Sequence, residues 1–371
     1  MTTRKNKVQA LYIHIPFCNN ICDYCDFAKL QYFRNFAEKY LVQLEKELEY
    51  RQVSKDLKTI YVGGGTPTSL EDDLFEQLLK IIKPYSNGVI EYTFEANPES
   101  LSERKIAFLK EYGVNRISIG VETTDDEILK KINRHHTFQD VQTAVLSARK
   151  MEIDNLNLDL IIGLPHVNKE RLIKDLSNLT SLDVSHISCY SLTVHPNTVF
   201  SLKGIEEPKS DYARELYDTV EEFLSQKGYV HYEVSNWAKP GYESKHNFVY
   251  WKDEKYYGVG LGAAGYVGDA RYTNTRNLTK YLNGEYEEEK EIVTPEDDKL
   301  YFLMLNLRTN QGLSLNNYKE RFNEDFYNVH KVEIEDLISK KLLIHDKENN
   351  KLVATFDGMM ILDQIIMELD K

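Results

Sequence analysis

The stretch from His14 to Phe27 has the sequence HIPFCNNICDYCDF and places cysteines at Cys18, Cys22 and Cys25. This Cys-x3-Cys-x2-Cys spacing supplies three thiolates, whereas a structural zinc ion normally takes four protein ligands. An iron–sulfur cube takes one ligand per iron, so three cysteines leave one iron open to another molecule. The alternatives are three unrelated thiols on a loop, or a zinc loop with a distant fourth ligand. Because the only other cysteine is Cys189, the spacing favours an iron–sulfur site.

Apolar, β-rich runs alternate with helical patterns between residues 8 and 230. The runs are Ala10–Ile15, Thr59–Val62, Ile90–Glu95, Arg116–Val121, Leu156–Ile162 and His186–Val194. Apolar strands that alternate with helices predict a parallel sheet covered by helices. Six such units are fewer than the eight of a closed βα barrel, so we predict an α/β fold with an open partial barrel of about six parallel βα units. The cysteine loop (residues 16–29) follows the first strand, at the edge where ligands collect in such folds.

Two glycine-rich runs have different interpretations. GGGTP at residues 63–67 ends the second strand. Since glycine lacks the Cβ that keeps a ligand away from the backbone, this run suits either a bound ligand or a tight strand-to-helix turn. It is no phosphate loop, because no Gly-Lys-Ser/Thr follows. GLGAAG at residues 260–265 matches a dinucleotide-binding pattern, but it lies in no βαβ unit and precedes no helical pattern. We interpret those glycines as serving turns or close packing.

Charged residues at predicted strand ends and one aromatic motif are further candidates. The charged set is Glu95, Glu122, Arg134 and Asp159. The motif HNFVYW, residues 246–251, starts with a histidine, which can ligate iron through one ring nitrogen while a partner orients the other. Tyr250 and Trp251 could stack on a flat macrocycle. An ordinary hydrogen-bonded histidine in an aromatic loop is the alternative. Cys189, within an apolar strand, is predicted to be inert core.

Composition narrows the class of protein. Lys and Arg total 46 against 59 Asp and Glu, a net charge of −13, which disfavours a nucleic-acid partner. Four cysteines, three of them clustered, argue for a reducing compartment rather than a disulfide framework. The N-terminal MTTRKNKVQALYIHIPF has no apolar stretch long enough for a signal peptide or a membrane span. We therefore predict a cytoplasmic protein, with peripheral contact to a membrane left open.

The pattern changes after residue 230. HYEVSNWAKPGYESKHNFVYW is polar, aromatic and turn-rich, and EEEKEIVTPEDD indicates an acidic linker into a helix that Thr294 caps, with Pro295 at its first position. A strand pair is predicted around residues 342–356. We predict three parts: a partial barrel over 1–230, an aromatic, glycine-rich extension with HNFVYW over 231–290, and a small, mostly helical domain over 291–371.

Six segments and the tail together resemble the HemN/HemW group of the radical SAM superfamily over nearly the whole chain. The segments are LYIHIPFCNNICDYCDF, GGGTPT, RISIGVE, LDLIIGLP, YEVSNWAKPGYESK and HNFVYW. Within the group, the HemW branch of haem chaperones is the more similar. The oxygen-independent coproporphyrinogen III dehydrogenases carry a fourth cysteine two positions after the third, where this chain has Phe27. They also lack the HNxxYW motif.

The resemblance implies cofactors and a site for each. Cys18, Cys22 and Cys25 would hold a 4Fe–4S cluster whose open iron chelates S-adenosylmethionine (SAM). Matching positions that line the SAM site are Tyr12, Tyr24, Gly64, Gly65, Thr66, Glu95, Glu122, Arg134 and Asp159. Arg134 suits the SAM carboxylate, and the acidic groups suit its ammonium and ribose hydroxyls. Glu122 stands where the family usually has glutamine. Ala264 stands where many relatives have histidine, which leaves His246 as the better haem ligand.

The resemblance also implies a function. A haem chaperone would hold haem near His246, Tyr250 and Trp251 and deliver it to haem-accepting client proteins, membrane-bound respiratory enzymes among them; the family is also thought to dimerise. A second hypothesis is a coproporphyrinogen III dehydrogenase, in which a 5′-deoxyadenosyl radical starts the oxidative decarboxylation of propionates. The missing fourth cysteine argues against it, so enzymatic activity is left open. A third is an iron–sulfur protein in which HNFVYW is structural.

Overall fold

In a computed structural model, which describes residues 7–370, the chain forms two units. The first comprises the described residues up to Val230, Trp237–His246 and Lys255–Glu291. The second comprises His231–Asn236, Asn247–Glu254 and the described residues from Ile292 onward. The predicted division at residues 230 and 290 stays a prediction, and its first six residues and its last lie outside the described part.

A parallel sheet organises the first unit. Its strands are β1 (Ala10–Ile15), β4 (Thr59–Gly64), β5 (Glu91–Ala96), β6 (Arg116–Glu122), β7 (Asn155–Ile162), β8 (His186–Ser191) and β11 (Tyr257–Val259). They lie in the order β11-β1-β4-β5-β6-β7-β8 and are all parallel. The strands β9 (Val230–Glu233) and β10 (Asn236–Ala238) follow at the far edge, in the order β8-β10-β9. The predicted open α/β fold of six consecutive parallel strands is confirmed.

The remaining elements of this unit surround the sheet. The helices are α1 (Arg34–Tyr50), α2 (Asp72–Ile82), α3 (Glu103–Glu111), α4 (Asp126–Lys131), α5 (Phe138–Lys150), α6 (Lys169–Ser181), α7 (Val199–Leu202), α8 (Ser210–Gln226) and α10 (Leu278–Leu282). Helix α9 (Lys245–Trp251) has its first two residues in this unit and its other five in the second. Two small sheets pair β2 (Phe17–Cys18) with β3 (Leu30–Gln31), and β12 (Ala264–Val267), β13 (Ala270–Asn274) and β14 (Glu287–Ile292) in that order. The predicted acidic linker is therefore wrong over 287–292, which pairs as a strand.

The two faces of the parallel sheet differ sharply in polarity. Side chains alternate between faces along a strand, and one face of each strand is apolar, as with Leu11, Ile13 and Ile15, all fully buried. The other face carries hydroxyl, amide, imidazole and charged side chains. Tyr61 on β4 lies close to Glu95 on β5, Asp159 on β7 and Tyr190 on β8. Burial raises the pKa of Tyr61 most, and the proximity of these three groups raises it further. The sheet thus curls around a polar interior, which we call the lumen.

The second unit is mostly helical, as predicted. Its elements are α11 (Pro295–Asn306), β15 (Leu313–Ser314), α12 (Leu315–Phe322), α13 (Phe326–Val329), α14 (Lys331–Ser339), β16 (Leu343–Asp346), β17 (Lys351–Ala354), α15 (Phe356–Met360) and α16 (Leu362–Leu369). The predicted cap is confirmed, since Thr294 and Asp297 form a capping box with Pro295 at the first turn. The predicted late strand pair is the antiparallel β16–β17 hairpin. Among residues 7–370, no helix is both long and apolar enough to cross a membrane.

Helix α5 offers a test of local stability. Thr137 accepts a hydrogen bond from the Asp140 amide, and the Asp140 carboxylate accepts one from the Thr137 amide, at 3.3 and 2.7 Å. We expect Thr137→Ala to lower the free energy of unfolding by about 1 kcal/mol, because it leaves the Asp140 amide without its side-chain acceptor at the helix start. The control is Thr143→Ala in the same helix, where an exposed hydroxyl only donates to Gln139 O. Equal denaturation midpoints for the two variants would contradict the assignment.

Candidate functional site

The cysteine loop is held from both ends. Pairing of β2 with β3 closes it, and the Leu30 amide donates to Pro16 O at 2.7 Å. At its centre, the Asp23 amide donates to Ile132 O at 3.2 Å, and the Phe200 amide of α7 donates to Asp23 O at 3.0 Å. The loop is therefore anchored by the sheet below and by two helical segments beside it.

The three predicted cluster thiols lie close enough to influence one another. Burial raises the pKa of Cys18 to about 12; a hydrogen bond from Thr66 lowers it, and Cys25 and Cys22 raise it further. Thr66 Oγ1 lies 3.7 Å from Cys18 Sγ, and Arg134 Nη1 lies 3.7 Å from Cys22 Sγ. Within residues 7–370 no three His, Cys, Asp or Glu side chains are already arranged around a metal position. As a donor set, three clustered thiols beside a buried cation fit an iron–sulfur cluster.

The run GGGTP packs directly on the cysteine loop. The Gly65 amide donates to Ile15 O and the Thr66 amide to Phe17 O, both at 2.8 Å. A Cβ at Gly65 would lie 2.7 Å from the backbone carbon of Pro16, and Gly64 has a φ of +113°. These glycines are thus required both for close approach and for a left-handed backbone. The run is a tight turn and also the wall of the cysteine site.

Beneath this turn, a half-buried carboxylate joins the strands β4 and β5. Glu95 accepts hydrogen bonds from Tyr61 Oη at 2.7 Å and from the Gly64 amide at 2.9 Å, and burial raises its pKa. Next to it, His14 connects Tyr12 Oη, 2.9 Å from Nδ1, with Ala28 O, 2.7 Å from Nε2. Burial lowers the pKa of His14 to about 4, so the ring is neutral at pH 7.

Arg134 lies beside the C-terminal ends of β5 and β6, and its guanidinium is engaged at every nitrogen but one. Its Nη1 donates to Asn97 Oδ1 at 3.0 Å, and its Nη2 donates to Gly120 O and lies 3.5 Å from Glu122 Oε1. Arg134 Nε is buried and has no hydrogen-bond partner among the described residues. Leaving a buried charged donor unpaired is costly, so a carboxylate ligand at Nε would complete the guanidinium. This orphan donor fits the carboxylate of SAM.

Glu122 and Asp159 bring two further carboxylates to the same end of the lumen. Glu122 has a φ of +66° at an irregularity in the β6–β7 pairing, and such strain in a non-glycine residue is typical of functional sites. Burial first, and then Glu122, raises the pKa of Tyr24, so the phenol lies beside this carboxylate. Burial, followed by the charges of Glu122 and Glu95, raises the pKa of Asp159 to about 7. All nine predicted SAM-site residues therefore lie on the lumen or on the turns above it.

The pKa of Asp159 predicts a pH-dependent stability. An unfolded Asp titrates near 3.8 and the folded one near 7, so the folded chain binds more protons between these values and loses stability as pH rises through them. We expect Asp159→Asn to be more stable than wild type at pH 8, by about 2–4 kcal/mol, and nearly equal at pH 4. Urea unfolding of the SAM-free protein at both pH values measures this. The exposed Asp154→Asn should follow wild type, and a pH-independent effect of Asp159→Asn would contradict the assignment.

The motif HNFVYW forms most of α9, so the aromatic loop of the alternative interpretation is a helix. Glu91 accepts hydrogen bonds from the Lys245 and His246 amides, at 2.9 and 2.8 Å. His246 is fully buried, its Nδ1 lies 2.9 Å from Thr59 Oγ1, and its ring packs on Tyr61 at 5.3 Å. Burial, and then Arg116, lowers its pKa to about 3. The predicted haem histidine is thus a neutral side chain at the N-terminal ends of β4 and β5, the end opposite the cysteine loop.

The other two predicted haem residues, Tyr250 and Trp251, are half-buried in the second unit. Asn247 and Trp251 lie beside the buried carboxylate of Glu233, whose pKa is raised by burial and lowered by these neighbours. Trp251 Nε1 makes no hydrogen bond of normal geometry to a described residue. Roles for His246, Tyr250 and Trp251 in haem binding stay predictions.

Several site residues escaped the sequence prediction. His14, Asn97, Asn157 and Ser118 all contact predicted site residues; Asn157 Nδ2 donates to Asp159 Oδ1 and to Ser118 Oγ, both at 2.7 Å. A signal for them was present, since every second residue of β4 to β8 is polar. The predicted packing role of GLGAAG is confirmed: a Cβ at Gly260 would lie 2.3 Å from His14 O, and one at Gly262 would lie 2.5 Å from Ala28 Cβ.

A parallel βα sheet, with a three-cysteine loop after its first strand and a glycine turn after the second, defines a radical SAM protein. The profile of the radical SAM superfamily matches residues 12–179, and that of the HemN C-terminal domain matches residues 293–360. The solved structure of coproporphyrinogen III oxidase (HemN) from Escherichia coli shares this fold, with a TM-score of 0.85 at 21% identity, covering 100% of this chain and 92% of that one.

Curated relatives narrow the class further. The protein named heme chaperone HemW from Bacillus subtilis is 37% identical and covers 96% of this chain and 98% of its own. The HemW of Lactococcus lactis is 36% identical, with 92% of each covered, and that of Escherichia coli is 35% identical, with 81% of this chain and 82% of its own covered. The chain belongs to the HemW family of the radical SAM superfamily.

Proposed function

We propose that this protein is a haem chaperone, which binds haem and transfers it to haem-dependent client proteins, respiratory enzymes among them. The observation that carries the proposal is the similarity to relatives named heme chaperone over 96% of the chain. The cysteine loop agrees with it. Phe27, where the dehydrogenases carry their fourth cysteine, is 64% exposed, so the loop presents three thiols and an apolar side chain.

We further propose a 4Fe–4S cluster on Cys18, Cys22 and Cys25, with SAM on its open iron. When bound, the pair supplies one-electron reductive chemistry. The chain's own residues have distinct tasks: Thr66 and Arg134 donate toward thiol sulfurs, Arg134 Nε receives the SAM carboxylate, and Glu95 and Asp159 receive its ammonium and hydroxyls. The raised thiol pKa of Cys18 means that cluster binding releases protons and strengthens as pH rises.

For haem, we propose His246 as the iron ligand and Tyr250 and Trp251 as stacking groups. Nδ1 lies 2.9 Å from Thr59 Oγ1, so we propose that Thr59 is the partner that orients the imidazole ring for iron binding. Because the ring is fully buried, haem can reach it only after the start of α9 leaves Glu91 and Thr59.

An anaerobic haem titration of the cluster-loaded protein, followed at the Soret band, tests the chaperone proposal. We expect saturation near one haem per chain and an affinity reduced about tenfold or more in His246→Ala. The matched control is His186→Ala, which removes an equally buried, neutral lumen histidine whose Nδ1 lies 2.6 Å from Asn157 Oδ1. Absence of saturable binding would refute the chaperone. Equal loss in both variants would make His246 a fold residue only.

The alternative function is coproporphyrinogen III dehydrogenation, and the fold similarity to HemN is the observation that favours it. Anaerobic incubation of the cluster-loaded protein with SAM, dithionite and coproporphyrinogen III decides it. A chaperone yields no protoporphyrinogen IX, whereas its formation at catalytic turnover would establish the dehydrogenase.

The cellular setting completes the proposal. We propose a cytoplasmic protein with peripheral access to membrane-bound clients, no nucleic-acid partner, and a homodimer as the working state. The net charge of −13 supports the exclusion of nucleic acid. Sedimentation of the cluster-loaded protein with and without haem measures the oligomeric state.

A further inference from the structure

Arg116 is a buried arginine without a partner. It is the first residue of β6 and only 2% exposed. Across residues 7–370 its guanidinium makes no hydrogen bond and no ion pair, and its Nε is sealed from solvent. An arginine stays charged in proteins, and a buried charge requires a counter-charge or hydrogen bonds to offset its lost hydration. The fold therefore maintains an unsatisfied cation inside the lumen.

A second orphan lies beside it. Thr93 is the register neighbour of Arg116 on β5, is fully buried, and has a hydroxyl without a partner among the described residues. A hydroxyl and a guanidinium side by side form a donor set for an oxyanion. The alternation of faces along β5 and β6 directs both side chains into the lumen.

The nearby ionisable groups do not satisfy Arg116. Glu95 is close enough for Arg116 to lower its pKa, but no hydrogen bond or ion pair joins the two, and the carboxylate accepts from Tyr61 and the Gly64 amide instead. His186 and His246 also respond to Arg116, and burial followed by its charge lowers the pKa of each, so both are neutral at pH 7. The protein supplies donors and neutral rings around the cation, and no free anion.

Arg116 is distinct from the proposed SAM anchor. Arg134 bonds to Gly120 O, four residues further along β6, which is about 13 Å at the rise of a parallel strand. SAM has one carboxylate, and the orphan Arg134 Nε beside the cysteine loop accounts for it. The cation at the floor of the lumen is therefore available to a second molecule.

We propose that Arg116 and Thr93 form a carboxylate-binding subsite at the floor of the lumen, which takes the carboxylate of an aliphatic arm on the molecule that enters beneath SAM. The carboxylates of Glu95, Glu122 and Asp159 lie between this floor and the cysteine loop, and they repel an anion of higher charge such as phosphate. A single-charge carboxylate on a short chain passes them at the least electrostatic cost. This deepens the proposed function by naming the chemical feature that its ligand carries, and its test does not require haem.

Thermal unfolding of the cluster-loaded protein in propionate tests the subsite. Propionamide, the neutral isostere, is the control for solvent effects. We expect a saturable rise in melting temperature with propionate, about 2 °C at ten times the dissociation constant, and none with propionamide. Equal shifts with both compounds would overturn the proposal.

Two variants localise the effect. Arg116→Met should abolish the propionate shift without lowering the melting temperature in propionate-free buffer, because it removes an unpaired buried charge. Thr93→Val should weaken propionate binding severalfold and leave the fold intact. A propionate shift that survives in Arg116→Met would overturn the proposal. So would an unchanged propionate affinity in Thr93→Val, or a sharply lower melting temperature of Arg116→Met, which would make the arginine a structural residue.

Repeating the propionate titration in saturating SAM shows whether Arg116 binds the carboxylate of SAM or that of a second ligand. A propionate shift that persists with SAM supports a second ligand at Arg116, and one that disappears assigns this cation to SAM and overturns the second-ligand subsite. Failure of haem binding in the Soret titration, with a persisting propionate shift, would refute the chaperone and leave the subsite standing. The two proposals therefore fail separately.

Discussion

Serine at any one of Cys18, Cys22 and Cys25 is expected to reduce bound iron, after anaerobic reconstitution, from about four atoms per chain to below one. With three ligands and one open iron, the cluster has no spare protein thiol to replace a lost one. The surroundings reinforce this, because Thr66 and Arg134 are positioned on Cys18 and Cys22 specifically. Iron analysis and the low-temperature EPR spectrum of the reduced protein measure the loss.

The control for this series is Cys189→Ala. Cys189 is fully buried on β8, and burial raises its pKa well above the usual value, as expected of the inert core residue that its apolar strand predicts. Its variant should bind iron like wild type. Full iron content in any of the three loop variants, or zinc in place of iron in the wild-type protein, would contradict the cluster assignment.

The sequence predicted the sheet well because its signal is local. Each of the six predicted strands begins within one residue of its observed start, since apolar runs between helical patterns mark where strands must be buried. The polarity of the lumen was not predicted, because the strands were identified by their apolar residues. The polar side chains at every second position of the same strands were not considered. Thr59, Tyr61 and Gly63 alternate with Ile60 and Val62 on β4, and only the curled sheet shows that the polar members converge.

Two helix caps that the sequence predicts are absent, because the hydroxyls that would form them make tertiary hydrogen bonds instead. From the sequence alone, the spacing of Ser69 with Asp72 and of Thr124 with Glu127 predicts two capping boxes, whereas the observed caps are Glu71 and Asp125. Ser69 donates instead to Phe17 O in the cysteine loop, and the Thr124 hydroxyl donates to Asp175 at 2.5 Å. Each hydroxyl donates a hydrogen bond to a residue that is distant in sequence instead of capping its own helix. A local sequence pattern cannot predict such a distant partner.

The largest effect on cofactor binding is expected for Arg134→Met. Removing this guanidinium takes away the orphan Nε and should weaken SAM binding about 100-fold, as loss of one partner in a buried charge pair does. It also leaves Glu122 buried beside Tyr24 without its cation, 3.5 Å away in the wild type. We therefore expect the free energy of unfolding to fall by about 3 kcal/mol. Calorimetric titration with SAM and urea unfolding measure the two losses separately.

The double variant Glu122→Gln/Arg134→Met separates binding from folding. Neutralising the stranded carboxylate should restore half or more of the lost stability while SAM affinity stays low, because the carboxylate anchor is still missing. Glu122→Gln alone, which introduces the residue usual in the family, should keep SAM binding, since Arg134 retains Asn97 and Gly120 O. Recovery of SAM affinity in the double variant would show that Glu122 repels the cofactor and that Arg134 merely neutralises it, which would overturn the anchor role.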